Sequence, residues 1–361
     1  MIYVGADVHV RNTMYNVADE EGQRLQRGRC ANILGELAAW FAPIERRARQ
    51  NGEAVRVVME STTNSRAMQR LLAQYGKAAG IDLTAEVLHA RKLRVIADSV
   101  SKSDKIDGDM LTELARSNLK LPVCYMPDDE EFALREHLRA RSDLVRMRTM
   151  LKNRIHAVFH RRGILTPEGD LFGKAGRTFL EQAPLEEAGR TIVERYLAAM
   201  DQLEEIIGQS TGSLRELTHR QRWAKPVALL QTMPGVGMMT ALTILAELGD
   251  IRRFRSRAAV SNYAGMVPRS KRSNERCWYG GISHAGPSHL RAMLVEAAWI
   301  GCPKVPFYQA LFDRVSRVSD RRRAITAVAR RMLEDGWMML VKNEAFRYIA
   351  PRSTNASGVA G

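Results

Sequence analysis

Apolar and polar positions alternate with a period of two across residues 2–10 (IYVGADVHV). Ile2, Val4, Ala6, Val8 and Val10 fall on one side, and Asp7 and His9 on the other. That alternation predicts a strand with one face on a core. Residues 12–18 (NTMYNVA) predict a second strand and residues 23–30 a polar third, and the short connections suit antiparallel hairpins. The period then lengthens. Residues 33–48 place Leu34, Leu37, Trp40 and Phe41 on one face of a helix, and residues 54–59 (AVRVVM) return to an apolar strand that ends at Glu60. The Ser-Thr-Thr-Asn that follows supplies N-cap chemistry for a helix over 65–75. A short fifth strand is predicted at 85–89, and a helix carries SKSDKIDGD into MLTELARSNLK.

Three strands, helix, strand, helix, strand, helix is the order of a mixed, ribonuclease-H-like sheet. The expected fold class is therefore an α/β N-terminal domain over residues 1–126, closed by Pro122 and Pro127. Beyond it the pattern is almost wholly helical. Leu134, Leu138, Val145, Leu151, Ile155 and Val158 recur at three-to-four spacing in one long charged run, and Val193, Leu197, Met200, Leu203 and Ile207 in a second. The two runs predict a helical hairpin or coiled coil over 127–222, serving either dimerisation or packing within the chain. Residues 223–345 predict a mostly α C-terminal domain, and residues 346–361 have the composition of a disordered tail.

Charge narrows the class of partner. With 55 Lys and Arg against 40 Asp and Glu, the chain carries a formal +15 and a pI near 10.0, which favours polyanions, nucleic acid first. No apolar run approaches the ~20 residues of a membrane span, and the N-terminus lacks a signal-peptide pattern. The four cysteines are scattered, without metal-ligand spacing, which fits a reducing cytoplasm.

Two sets of residues carry candidate chemistry. Asp104 and Asp107, three apart, project from one face of a helix. In the expected sheet, Asp7 on the first strand lies beside Glu60 at the tip of the fourth, where a later helix can bring its acids to both. Four converging carboxylates suit metal-dependent phosphoryl transfer, with Mg²⁺ the hard cation they favour. The second set begins at residues 227–248, where two apolar helical stretches flank Pro234-Gly235-Val236-Gly237. This is a helix-hairpin-helix pattern, in which backbone N–H groups at Gly235 and Gly237 approach a phosphate. A basic segment follows with Arg253, Arg255, Arg269, Lys271, Arg272 and Arg276, fitted to track a nucleic-acid backbone. Ser270 and Ser273 lie in a polar stretch there, read as loop, close to Gly280 and Gly281.

These motifs, in this order, resemble transposases of the insertion-sequence 110 family, which include the Piv-type DNA invertases. GADVH, VVMEST and SDKIDGDMLTELAR resemble the family's RuvC-like domain, with LVRMRTMLKNRIHAVFH following. MPGVGMMTALTILAELGD, RFRSRAAVSNYAGMVPR and GGISHAGPSHLRAMLVEAAW resemble its transposase domain. The resemblance implies an acidic tetrad at Asp7, Glu60, Asp104 and Asp107 that binds Mg²⁺ or Mn²⁺, and a nucleophilic serine at Ser273, with Ser270 the alternative. It implies double-stranded donor and target DNA as substrates, a structured RNA encoded by the element, a homodimer or homotetramer, and action in the bacterial cytoplasm at the nucleoid. The family often shows two adjacent serines followed by glycines where this chain has Arg272-Ser273-Asn274-Glu275. The alternatives are a Holliday-junction-type nuclease that uses the acids and water, and an inactive nucleic-acid-binding protein.

Overall fold

A computed structural model describes residues 1–90, 92–93, 108–117, 119–273 and 276–347, which form two compact units, Met1–Met126 and Pro127–Gly361. In the first unit, β1 (Ile2–Val8), β2 (Asn12–Ala18), β3 (Arg24–Ala31), β4 (Val55–Glu60) and β5 (Leu83–Leu88) form one mixed sheet in the order β3-β2-β1-β4-β5. The first three strands pair antiparallel, and β4 and β5 join parallel to β1. The sheet, with helices between the parallel strands, is compatible with the expected ribonuclease-H-like order.

Alternation explains the two faces. Ile2, Val4, Ala6 and Val8 of β1 pack with Val55, Val57 and Met59 of β4 beneath α1 (Leu34–Asn51) and α2 (Ser65–Ala79), through Leu37, Phe41 and Leu72. On the other face Val58 and Leu88 meet Leu111, Leu114 and Ala115 of α3 (Gly108–Arg116). Because β1 and β4 are buried on both faces, their apolar runs are nearly continuous.

Three local expectations change. β1 stops at Val8 rather than Val10, because the chain turns at once: the His9 N–H donates to the Asn12 carbonyl at 3.0 Å, leaving Val10 80% exposed. The α2 start is held differently from a simple N-cap. Asn64 makes no side-chain cap, and instead the Ser65 hydroxyl accepts from the Thr62 N–H at 2.6 Å and donates to the Glu60 carbonyl at 2.9 Å. The polar stretch after Val267 is not a loop but a hairpin, β6 (Pro268–Ser273) with β7 (Arg276–Ile282). Charge density suggested a loop, whereas a two-stranded ribbon tolerates charge well and β7 carries the strand-forming Trp278 and Tyr279.

The second unit is helical apart from that hairpin among the described residues. α4 (Asp129–His160) and α6 (Glu187–Leu217) run antiparallel against each other, with His137 at Ser210, Arg141 at Thr211 and Arg148 at Glu204. Ile155 and Val158 pack with Val193 at one end, together with α5 (Lys174–Gln182). At the other end Leu134, Leu138 and Leu214 join the largest core, so the apolar stripes are used within the chain. That core is built on α7 (Gln221–Gln231), α8 (Met238–Leu248), α9 (Arg257–Tyr263), α10 (Ser288–Gly301), α11 (Pro306–Ser316) and α12 (Arg321–Lys342). Every residue of α8 from Thr240 to Leu248 is buried.

The turn between α7 and α8 explains its own glycine. Gly235 has φ +89°, and a Cβ there would lie 2.2 Å from the Ala297 carbonyl oxygen; a Cβ on Gly301 would lie 2.3 Å from the Pro234 oxygen. Backbone meets backbone where α10 crosses the turn, so only hydrogen fits on both sides.

Candidate functional site

The register of β1 and β4 places the first group of candidate residues. Ala6 pairs with Met59, and one step on stand Asp7 and Glu60, on adjacent parallel strands. The alternation that buries Ala6 and Met59 turns both acids to the opposite face, the one covered by α3. Asp7 is partly exposed and its Oδ2 lies 3.3 Å from Nε2 of His9. Glu60 is held from behind, since its carbonyl accepts from Ser65 and the next N–H, of Ser61, donates to the Leu88 carbonyl at 2.8 Å.

α3 approaches this face unusually closely. The Gly5 N–H donates to Oγ1 of Thr112 at 3.1 Å, and the same hydroxyl lies 2.7 Å from the Gly108 carbonyl oxygen. A Cβ on Gly5 would lie 2.3 Å from the Gly108 oxygen. Asp104 and Asp107 lie outside the described residues, and α3 begins at Gly108, the residue after Asp107. Asn16 pairs with Gly5 across β1 and β2 and is 2% exposed, yet among the described residues neither atom of its amide has a hydrogen-bond partner. A buried, unsatisfied amide is uncommon in a folded protein. Among the described residues no three acids or histidines gather as a metal cluster. Asp7 and Glu60 are hard oxygen donors, side by side and open to solvent on one side, which fits a hard divalent cation.

The other group of candidate residues lies in the second unit. Ser273 is the last residue of β6 and pairs with Arg276, while Ser270 pairs with Tyr279 in mid-ribbon. Lys271 and Arg272 stand between them, paired with Trp278 and Cys277. Arg269 is exposed and donates to the Ser283 carbonyl at 3.3 Å. The hairpin base borders a cleft of about 540 Å³ that also takes in Gly280, Gly281, His284, Arg322, Arg323 and Arg330. Asp320 caps α12 there, accepting from the Arg323 N–H at 2.8 Å. His284 holds φ +53°, its N–H donating to the Gly265 carbonyl at 3.1 Å, a conformation uncommon for a side chain with a Cβ.

The remaining expected contacts divide. Arg255 is exposed, and Gly237 is exposed at the start of α8, where no side chain caps the helix. Arg253 is used inside the unit: its guanidinium lies 4.1 Å from the Phe254 ring centre and 4.3 Å from that of Tyr263, and it donates to the Leu248 carbonyl. Gly235 is accounted for by its packing on α10. Sequence reasoning missed His284 and Arg330 and assigned no role to Arg322 and Arg323. The consecutive Arg321, Arg322 and Arg323 were the visible signal in the sequence, but only the fold-back of α12 puts Arg322 and Arg323 beside the hairpin base.

No described helix is long and apolar enough to cross a membrane. Residues 227–309 match the family model described as Transposase IS116/IS110/IS902 family. Residues 4–162 match a second model, described as a transposase of the DEDD IS110 type, and the two matches take in more than half of the chain. The transposase for insertion sequence element IS1328 of Yersinia enterocolitica is 25% identical over 352 residues, covering 95% of this chain and 98% of that protein. The transposase for insertion sequence element IS1111A of Coxiella burnetii is 25% identical over 296 residues, 76% of each chain. The pilin gene-inverting protein of Moraxella bovis is 26% identical over 157 residues, 43% of this chain and 47% of that one, so the match spans about half of that relative. With paired acids on one sheet face, a basic second unit and matches across both, the chain belongs to the IS116/IS110/IS902 family of transposases.

Proposed function

We propose that the enzyme cuts and rejoins double-stranded DNA as the recombinase of a bacterial insertion sequence, using the acids of residues 1–126 and a serine of residues 223–345. The observation that carries this reading is the placement of Asp7 and Glu60 side by side on the face that α3 closes, in a chain whose two halves match transposase models. The N-terminal unit is a ribonuclease-H-like catalytic domain. Asp7, Glu60, Asp104 and Asp107 would hold Mg²⁺ or Mn²⁺, and the bound cation would supply Lewis-acid stabilisation of phosphate charge.

Ser273 is the nucleophile, with Ser270 as the substitute candidate. Its hydroxyl oxygen bonds to phosphorus as the bond from phosphorus to one deoxyribose oxygen breaks, the serine proton passing to solvent or base and the departing oxygen leaving as a hydroxyl. Attack by a different strand's hydroxyl reverses the step and releases the serine, so phosphodiester energy is conserved. Arg269, Lys271, Arg272 and Arg276 flank the serine and counter the transition-state charge. Arg255 and the α7–α8 turn with Gly237, as a helix-hairpin-helix, support the DNA path. The enzyme acts as a homodimer or homotetramer, and an element-encoded structured RNA selects donor and target. The enzyme works at the nucleoid.

A suicide substrate spanning the element's junction, incubated with Mg²⁺ and element RNA, tests this on a denaturing protein gel. Wild type gives a DNA-shifted band, lost in Asp7→Asn, Asp104→Ala and Ser273→Ala. Cleavage without a covalent band and unaffected by either Ser273→Ala or Ser270→Ala refutes the serine step and leaves a metal-dependent, junction-resolving nuclease using water.

A further inference from the structure

The β6–β7 hairpin belongs to an excursion of the chain, residues 265–285, that leaves the C-terminal end of α9 and returns at the start of α10. Its two stems cross backbone on backbone. Gly265 holds φ +67°, and a Cβ there would lie 2.7 Å from the Ala285 nitrogen; one on Gly286 would lie 2.1 Å from the Tyr263 carbonyl oxygen. Just beyond the crossing, the His284 N–H donates to the Gly265 carbonyl at 3.1 Å and the Ser283 N–H to the Val267 carbonyl at 2.8 Å.

One side chain ties the stems together. Nη1 of Arg291 donates to the Ala264 carbonyl at 3.0 Å and to the Gly286 carbonyl at 2.8 Å, the two residues that bracket the excursion. Arg291 lies near the start of α10, the end at which the helix dipole disfavours a cation. It is partly buried; burial lowers its pKa, and no carboxylate among the described residues offsets that. Other arginines of the same unit, Arg139 and Arg331, are spent on Glu247 and Asp335. A cation held against the dipole and without an acid has its reason in the crossing it bridges, where a charged donor makes stronger hydrogen bonds than a neutral one.

We propose that Arg291 is a positioning residue for the serine step: it fixes the base of the ribbon, and so the place to which β6 carries Ser273 or its substitute Ser270. The role rests on the recombinase reading, which supplies the serine, and Arg291 acts through the main chain rather than by touching DNA. Leverage sets the scale. β6 runs from Pro268 to Ser273, roughly 17 Å at ~3.4 Å per residue, so a tilt of about 10° at its base moves its far end by about 3 Å. A misplacement of ~1 Å can already cost ~100-fold in rate.

The test separates position from grip and from stability. The full chain, as wild type, Arg291→Met and Arg291→Lys, is given the junction suicide substrate with Mg²⁺ and element RNA, and covalent adduct formation is timed in a single turnover. DNA affinity is read by fluorescence anisotropy over a salt series in EDTA, and hydrogen exchange by mass spectrometry on the free protein. Methionine keeps an apolar stem and removes both donors, and the adduct rate falls by more than about tenfold. DNA affinity stays within about twofold, and the slope of log affinity against log salt within ~0.5. Peptides from residues 265–285 exchange faster, while α8 peptides keep the wild-type rate. Lysine, with donors for both carbonyls, restores the adduct rate to within about threefold of wild type. A methionine rate within about twofold of wild type overturns the proposal, as does a lysine variant no faster than methionine. So does a salt slope reduced by ~0.9, the mark of a lost phosphate contact, or an equal gain of exchange in α8, the mark of general loosening. Wild type that forms no adduct overturns the serine reading itself, and the role of Arg291 with it, even where exchange over 265–285 still rises.

Discussion

Gly5→Ala is the substitution that most directly probes how the acidic face is built. The new Cβ would stand 2.3 Å from the Gly108 oxygen, 2.5 Å from the Thr112 nitrogen and 2.6 Å from its Oγ1, where real contacts do not fall below 3.0 Å. Two of these are backbone atoms, so no rotamer relieves the clash and α3 must retreat as a body. Retreat opens the packing of Leu111 and Ala115 on Val58 and Leu88, all now buried. Overpacking of this kind costs ~1–3 kcal/mol. It also breaks the bond from Gly5 to Thr112, and a buried N–H left unpaired costs a further ~1–3 kcal/mol. A total of about 2–6 kcal/mol is a large fraction of the ~5–15 kcal/mol that holds a domain together. Because the two units need not unfold together, hydrogen exchange read by mass spectrometry on β1 and α3 peptides is the assay, and protection there falls by that amount while α8 peptides hold. Thr112→Val keeps the shape and loses only the hydroxyl's bonds, so its loss is smaller, ~1–2 kcal/mol. Protection in Gly5→Ala within about 0.5 kcal/mol of wild type, or a Thr112→Val loss larger than the alanine's, refutes the close-approach argument.

Two further predictions concern ion pairs of the second unit. Asp128 caps α4, accepting from the Glu131 N–H at 2.9 Å, and the guanidinium of Arg222 at 2.7 Å holds its carboxyl below the ordinary carboxylate range. A depressed folded pKa means stability that is present above the unfolded value, ~3.9, and lost as pH falls through the folded one. Asn caps nearly as well, so Asp128→Asn costs only about 0.5–1 kcal/mol near neutrality, and in urea unfolding that gap closes as pH drops toward 3; a gap independent of pH refutes the assignment. Glu247 is 2% exposed and accepts from Arg139 at 2.8 Å, whereas Arg139 is half exposed. Arg139→Met strands a buried carboxylate and costs about 3 kcal/mol, more than Glu247→Gln, which leaves a cation that can reach water; the reverse order in denaturant unfolding counts against this account.

Periodicity by itself determined the strand and helix order of the first unit, the long helical runs of the second and the place of Asp7 and Glu60, because a two-residue period assigns each side chain to a face before any partner is known. It erred where local hydrogen bonding competes with pattern: at Val10, where the chain turns, and after Val267, where charge masked a ribbon. Only tertiary structure decided why Gly5 and Gly235 are glycines, since the reason is the carbonyl of a helix 103 and 62 residues away in sequence. Nor does spacing show that Arg253 is spent between Phe254 and Tyr263. Charge is a property of composition, but its availability depends on which acids the fold brings within reach, and that is settled by long-range packing.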